Sequence, residues 1–365
     1  MKNLNLLLLL FVILLSTTLS YTQEFIGNSR IRSENYQIKN IDEWDNSVNS
    51  TSLTRLGVGW SGEDILGHKW SMNVTGNYFY EFHDGEEDVN STGEPSLYEA
   101  SISTQLPYDI TVQAGRMALH YGDGRIIGND NWGNRGRSHD GVILKYEGLI
   151  NIDIGTDAVE SNQNKDWAYI YINRNTEGFN IDGAYLIANA RNTMGIALDF
   201  KTMEDQLDVG FDYWNQTWYK TANVDNKDET AALIAITIDY NVNEKLSLGG
   251  GIDMFSETNG GKWNSTWGDY HQFNGTMDII ADNMDGTWND AYLNIKYKMQ
   301  DWNIDLTYHT IASEKNELLG GDEIDIFLTN KLNKHINYGF GLSQLTPNDN
   351  SDESRWMYIQ VTVTP

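Results

Sequence analysis

The sequence predicts an all-β protein: a transmembrane antiparallel β-barrel of about 18 strands. Three observations carry that prediction. From about Ser29 to Pro365 short runs alternate apolar and polar residues, as in Leu207-Asp208-Val209-Gly210-Phe211-Asp212-Tyr213, Trp302 to Tyr308 and Met357 to Val363. Strand side chains alternate faces, so each run makes a ribbon with one apolar and one polar side. Tight turns alternate with long polar connections. The chain is also rich in Trp (12) and Tyr (20), which suits aromatic girdles at two membrane interfaces.

The N-terminus supplies an address. Lys2 is a minimal basic region, Leu6 to Leu15 is a short apolar core, and Ser20-Tyr21-Thr22 places small residues before a cleavage point at Gln23. Residues 1–22 are expected to be a signal peptide and 23–365 the barrel. That apolar run is too short for a helix of ~20 residues crossing a bilayer, and no other segment approaches it. Any membrane span must then be made of strands.

Composition excludes several classes. There is no Cys, hence no disulfide, thiolate metal ligand or lipoprotein anchor. A net charge of −27 argues against a general nucleic-acid binder, which needs a basic face. Acidic runs at Asp84 to Asp88 and Asp349 to Glu353 read as solvated loops. Only 4 Pro accompany 33 Gly, which suits uninterrupted ladders in a bending wall.

The alternation places strands at 29–38, 51–61, 69–82, 97–107, 108–121, 141–148, 149–158, 166–174, 179–190, 193–203, 206–219, 230–241, 245–257, 287–299, 301–313, 321–332, 335–346 and 355–365. Connections after odd strands are long and polar (39–50, 83–96, 122–140, 258–286), and those after even strands are tight. Arg191-Asn192 is short where a long loop is expected, and Ser61 to His68 is long for a turn. Trp70, Met72, Val74, Tyr78, Tyr80 and Phe82 should face lipid, as should Ile234, Ile236, Ile238 and Tyr240, and Ile324, Ile326 and Leu328. Thr237, Asp239, Asp325, Thr329 and Lys331 should face the lumen. Eighteen strands enclose a lumen too wide for side chains to fill, so the barrel should hold water.

The stretch from Gly115 to Lys145 differs from the rest. It concentrates Arg116, Arg125, Arg135, Arg137 and Lys145 in an acidic chain. Arg116 also interrupts the alternation, since Ile110, Val112 and Ala114 share one parity while Met117, Leu119 and Tyr121 have the other. A bulge near Gly115 would reconcile them and turn Arg116 inward. One reading is a basic constriction that selects anions. The other is that these arginines pair with Asp123, Asp130, Asp140 and inward acids to hold loop and wall together.

The run Gly-Arg116-x-x-Leu-x-Tyr-Gly-Asp-x-Arg125-x-Ile-Gly, followed by Trp132, Asn134, Arg137, Asp140 and Gly141, resembles the signature of the alginate-export family of outer-membrane porins. His271-Gln-Phe-Asn-Gly275-Thr-Met-Asp278, Asn289 to Lys298 and the early Ser-Leu-Thr-Arg55-Leu-Gly are similar to later and earlier parts of that family. The resemblance implies an 18-strand barrel passing acidic polysaccharide through an arginine-lined pore, with Arg55 joining the pore arginines. The chain departs from the family in length, in the Trp267-Gly268-Asp269-Tyr270 lead-in and in its terminal Thr-Val-Thr-Pro365.

Other sites are sparse. Seven His show no metal-like spacing, and no cofactor is expected. Ser138-His139-Asp140 are adjacent on an extended segment, so they point apart and cannot form a triad. Trp263, Trp267, Tyr270 and His271, in the longest loop, either stack on sugar rings or form a loop core. The leading expectation is an anion-preferring passive channel in the outer membrane of a Gram-negative bacterium. Its partners would be outer-membrane lipid, acidic polysaccharide or small anionic solutes, and periplasmic export components. A cation-selective porin, favoured by inward Asp208, Asp212, Asp239, Asp305 and Asp325, and a plugged barrel acting as a surface-binding protein are the alternatives.

Overall fold

The computed structural model describes residues 21–39, 44–63, 67–82, 94–133, 135–157, 167–188, 191–218, 229–264, 267–269, 271–278, 287–313, 320–348 and 353–364. The strands are β1 (Tyr21–Lys39), β2 (Trp44–Glu63), β3 (Lys69–Phe82), β4 (Glu94–Leu106), β5 (Ile110–Met117), β6 (His139–Tyr146), β7 (Asn151–Asp157), β8 (Trp167–Thr176) and β9 (Phe179–Ala188), then β10 (Arg191–Thr202), β11 (Leu207–Trp218), β12 (Glu229–Asn243), β13 (Leu246–Thr258), β14 (Trp288–Met299), β15 (Trp302–Ser313), β16 (Gly321–Lys331), β17 (Ile336–Pro347) and β18 (Ser354–Val363). They form one 18-stranded sheet in which chain neighbours pair. Among the described residues there is no helix.

The sheet closes on itself. β1 pairs antiparallel with β18 from Ser29 opposite Val363 to Gln37 opposite Arg355. Closure leaves no strand edge unpaired in hydrocarbon, where each orphaned backbone group is costly. The wall follows the alternation. Val74, Tyr78 and Phe82 of β3, Ile236, Ile238 and Tyr240 of β12 and Ile324 of β16 are exposed on the outer surface, while Thr75, Asn77 and Asp325 are buried inside. Ala188 pairs with Arg191, so the brief connection between β9 and β10 is a tight hairpin among long loops and the strand count stands. β1 and β2 continue pairing to Lys39 opposite Trp44. The expected loop 39–50 is therefore largely ladder, because polar residues pair as well as apolar ones where a hairpin stands clear of lipid. The acidic run at 84–88 and most of 349–353 lie outside the described residues.

The expected bulge lies one strand away from where the sequence suggested. Thr75 faces Glu99 and Gly76 faces Leu97, so Tyr98 is the extra residue, in β4. It turns inward and is almost wholly buried. β5 keeps its register: Gly115 stands between Ser101 and Gly141. Gly115 has φ of 118°, and a Cβ there would meet the Ala100 carbonyl oxygen at 2.2 Å. Arg116 thus stays on the outer face with Val112 and Ala114, opposite Asp140. Met117 and Leu119 are apolar for a different reason. They begin a segment that leaves the wall at Met117 and packs in the lumen, where both are buried.

Candidate functional site

Among the described residues two loop segments fold inward, one within 118–138 and one within 259–278, and they are bound to each other. The Gly128 amide donates to the Trp267 carbonyl at 2.5 Å, and the Asp269 amide donates to the Gly124 carbonyl at 2.9 Å. Asp269 accepts the Asp130 amide at 2.6 Å, in space that only a glycine at 128 leaves open: a Cβ there would stand 2.3 Å from Asp269 Oδ1. Burial raises the Asp269 carboxyl, and the Asp130 amide opposes that shift. Gln272 Nε2 donates to the Asp123 carbonyl at 2.6 Å. Trp132 and His271 stack with centroids 4.0 Å apart.

An internal apolar core seats the pair against the wall. Leu119, Ile126, Ile127, Trp263 and Trp267 of the loops pack with inward Ile143, Trp167, Leu233, Trp288 and Ile311. A second cluster joins Met277 to Leu345, Trp356 and Tyr358. The wall also reaches in with polar groups. Arg30 donates to the carbonyls of Asn131 (3.0 Å), Trp132 (3.2 Å) and Gly133 (3.0 Å). Arg32 lies 3.7 Å from the Trp132 ring centroid and pairs with Glu34 at 3.7 Å. The Tyr121 hydroxyl donates to Asp153 at 2.6 Å, and burial beside Tyr169 and Asp153 raises that phenol. Glu323 accepts the Met277 amide at 3.1 Å.

The sequence-predicted basic residues have different fates. Arg125 is buried inside the barrel, 2.6 Å from Asp253, 3.3 Å from Asp212 and 3.5 Å from Asp123, with Phe273 under its guanidinium at 4.0 Å. Burial alone would lower its pKa. The three carboxylates outweigh that and raise it, so the group stays charged. Arg137 donates to the carbonyls of Gly128 (3.2 Å) and Gly268 (3.1 Å), tying the two loops. Arg135 is exposed and pairs with Glu94. Arg55 faces inward, bonds Asn77 at 2.9 Å and covers the Tyr98 ring at 3.6 Å. Lys145 faces inward and lines a chamber.

Arg116 is a correction. It does not reach the lumen but pairs on the outer face with Asp140 at 3.6 Å and Ser138 at 3.0 Å. The aromatic candidates are a second. Trp263 packs on Phe255, and Trp267 packs on His139 and Trp167; both are buried in the loop core, closed to a passing sugar. Tyr270 lies outside the described residues. His271 is covered by Trp132, and its Nδ1 meets Asp278 at 2.8 Å. His139 faces inward and Asp140 outward, so these neighbours cannot act on one substrate. No group of three potential metal ligands occurs among the described residues.

Between the loops and the short-turn end lie two chambers of about 740 and 540 Å³ that share Asp123, Asp199 and Asp212. The first is lined by Asp153, Asp182, Asn173, Asn180 and Tyr171, with Lys145 as its lysine. The second is lined by Asp239, Asp253, Asp305, Asp325, Tyr292 and Phe327, which face Arg125, Lys296 and His309, the last 3.0 Å from Asp290 and 3.6 Å from Asp325. Sequence reasoning missed Arg30, Arg32 and the Tyr121, Tyr169 and Tyr171 group. The signal was present: Arg30, Arg32, Glu34 and Tyr36 share one strand parity, and so do Trp167, Tyr169 and Tyr171.

This architecture has known counterparts. A BenF-like porin from Pseudomonas fluorescens Pf-5 superposes with a TM-score of 0.76 at 10% identity, over 95% of this chain and 100% of that one. Acinetobacter baumannii OccAB4 gives 0.73 at 10% identity, covering 96% and 99%. Pseudomonas aeruginosa OpdK with vanillate gives 0.71 at 9% identity, covering 94% and 98%. No protein-family model and no curated protein matches the chain. The chain has the outer-membrane porin fold. At such identities the likeness carries the fold alone, and the alginate-export resemblance gains no support beyond it.

Proposed function

We propose that the protein is a constricted outer-membrane channel for small solutes, and that it prefers cations. The observation that carries this is the lining of the two chambers below the loops. Asp153, Asp182, Asp199, Asp239 and Asp305 stand against Lys145, Lys296 and an Arg125 already engaged by three carboxylates, while Asp325 is paired with His309 at 3.6 Å. A low-dielectric wall focuses such a field on the permeating ion. The chamber volumes fall in the range typical of small-molecule sites, roughly 300–1,000 Å³. Vanillate in one barrel of the same fold is in keeping with small-solute traffic.

The anion-preferring reading, with acidic polysaccharide as cargo, rests on the loop arginines. Their surroundings weaken it. Arg125 and Arg135 face carboxylates, Arg137 faces carbonyls, and Arg116 points away from the lumen. Reversal potentials across a potassium chloride gradient, measured on the purified barrel in planar bilayers, test the proposal. Potassium should be favoured over chloride. A channel that favours chloride would overturn the reading and return the arginines to the selective role.

A further inference from the structure

The two chambers have three lining residues in common, Asp123, Asp199 and Asp212, so a solute crossing from one to the other passes all three. They are not equivalent. Asp212 is only 8% exposed and lies 3.3 Å from Arg125. Asp123 is held twice by the same residue: it accepts the Arg125 amide at 2.9 Å and stands 3.5 Å from the guanidinium. Asp199, on β10, is exposed. Asn180 Nδ2 donates to its Oδ2 at 3.3 Å, and among the described residues no cation pairs with it. Lys201, the next residue on that face of β10, is drawn to Asp208 at 3.8 Å and lines neither chamber. The wall beside Asp199 is built from small residues. Ala197 precedes it on the same face, and Gly210 stands opposite it on β11. The Asp199 carboxylate and the Thr237 hydroxyl share the space over Gly210, 3.2 and 2.3 Å from where a Cβ would stand. A side chain at 210 would fill that space.

We propose that Asp199 is the residue that sets ion preference at the junction of the two chambers. A cation approaching Asp123 or Asp212 also approaches the Arg125 guanidinium, which repels it. At Asp199 it meets a carboxylate whose one hydrogen bond comes from a neutral amide. The charge there is unanswered by a neighbour, and the low-dielectric wall keeps its field in the passage. The competing account spreads selectivity evenly over all the chamber acids. It predicts that Asp199 counts for no more than Asp305, which lines the second chamber away from the junction and faces Lys296 across the β14–β15 ladder. This inference deepens the cation-channel reading and rests on it.

The test measures reversal potentials in a potassium chloride gradient on the full mature barrel, with each variant confirmed as folded by heat-modifiable migration. D199N should lower the potassium-to-chloride permeability ratio at least about fourfold, the Boltzmann factor for one unit charge met at roughly 5 Å in bulk water. D305N should lower it less. The chain has no Cys, so D199C carries a unique thiol to which charge can be returned. An anionic methanethiosulfonate reagent should restore the potassium preference of D199C, and a cationic one should push the ratio below that of D199N. A purely structural role for Asp199 would not follow the sign of the reagent. D199N equal to wild type or to D305N, or a D199C thiol shown by mass spectrometry to be modified with no dependence on reagent charge, would overturn the assignment. A wild-type channel that prefers potassium, with D199N unchanged, sinks Asp199 alone. A wild-type channel that prefers chloride sinks the cation-channel reading and the assignment with it.

Discussion

Arg125 is the tie whose removal should be felt most. Its guanidinium is 5% exposed and meets Asp253, Asp212 and Asp123, the first two only 2% and 8% exposed. Arg125→Leu removes the guanidinium that covers Phe273 and strands those carboxylates. Removing one partner of a buried ion pair typically costs about 3–5 kcal/mol. The barrel ladder does not depend on this contact, so the cost falls on the docking of loop 118–138 and its companion. A loss of about 3 kcal/mol shifts a docked-to-undocked equilibrium by more than roughly a hundredfold. Single-channel recording should show larger and noisier current than wild type, with migration on gels unchanged. Adding Asp253→Asn should restore part of the quiet state, because it removes the most buried stranded charge. Arg125→Leu with wild-type conductance and noise would show that the loops are held by their apolar core and that the ion cluster contributes little.

Two further outcomes follow from the wall. Ile236→Arg should impair insertion while Thr237→Arg should not, since only Ile236 faces outward and a guanidinium in hydrocarbon costs about 2–4 kcal/mol near the midplane; the yield of heat-modifiable barrel reads it. Gly115→Ala should lower the urea midpoint of unfolding, because its φ of 118° and the Ala100 carbonyl at 2.2 Å leave no room for a Cβ, with strain of about 1–3 kcal/mol; an unchanged midpoint would show that β4 yields freely there.

The strands were legible because lipid enforces a period of two. β3, β16 and the later half of β12, from Ile236 to Tyr240, alternate cleanly, and their outer faces are where the alternation puts them. The reading failed where the lumen itself is apolar. Ile143 and Leu233 face inward and are fully buried, in contact with the inserted loops. Their segments, Val142-Ile143-Leu144 and Ala231 to Ile236, are apolar on both faces. That doubled hydrophobicity near the long-loop end of a strand is the sequence trace of an internal core. The same effect made Met117 and Leu119 look like lipid-facing residues, which displaced the expected bulge from Tyr98 to Gly115. The tight turns were less demanding, since Tyr108 and Asp109 take positive φ within a connection of three residues between Leu106 and Ile110.

The site was harder to read because charge is not conserved as a local property when loops fold inward. Arg125 and Asp253 are 128 positions apart in the chain, and Arg30 and Trp132 are 102 apart. Counting arginines in the segment 115–145 suggests a basic zone. Folding delivers that zone into a wall already lined by Asp212, Asp239 and Asp253. A buried guanidinium is tolerated only with partners, since desolvation of an unpaired charge costs several kcal/mol. The arginines inside this barrel are therefore the ones whose charge is already answered. What a permeating ion meets is the remainder, and on β7 to β16 the remainder is acidic. The sign of a pore's selectivity thus follows from which inward charges lack partners, and Asp239 and Asp305, each with a carboxylate oxygen left unbonded in the same chamber, belong to that remainder.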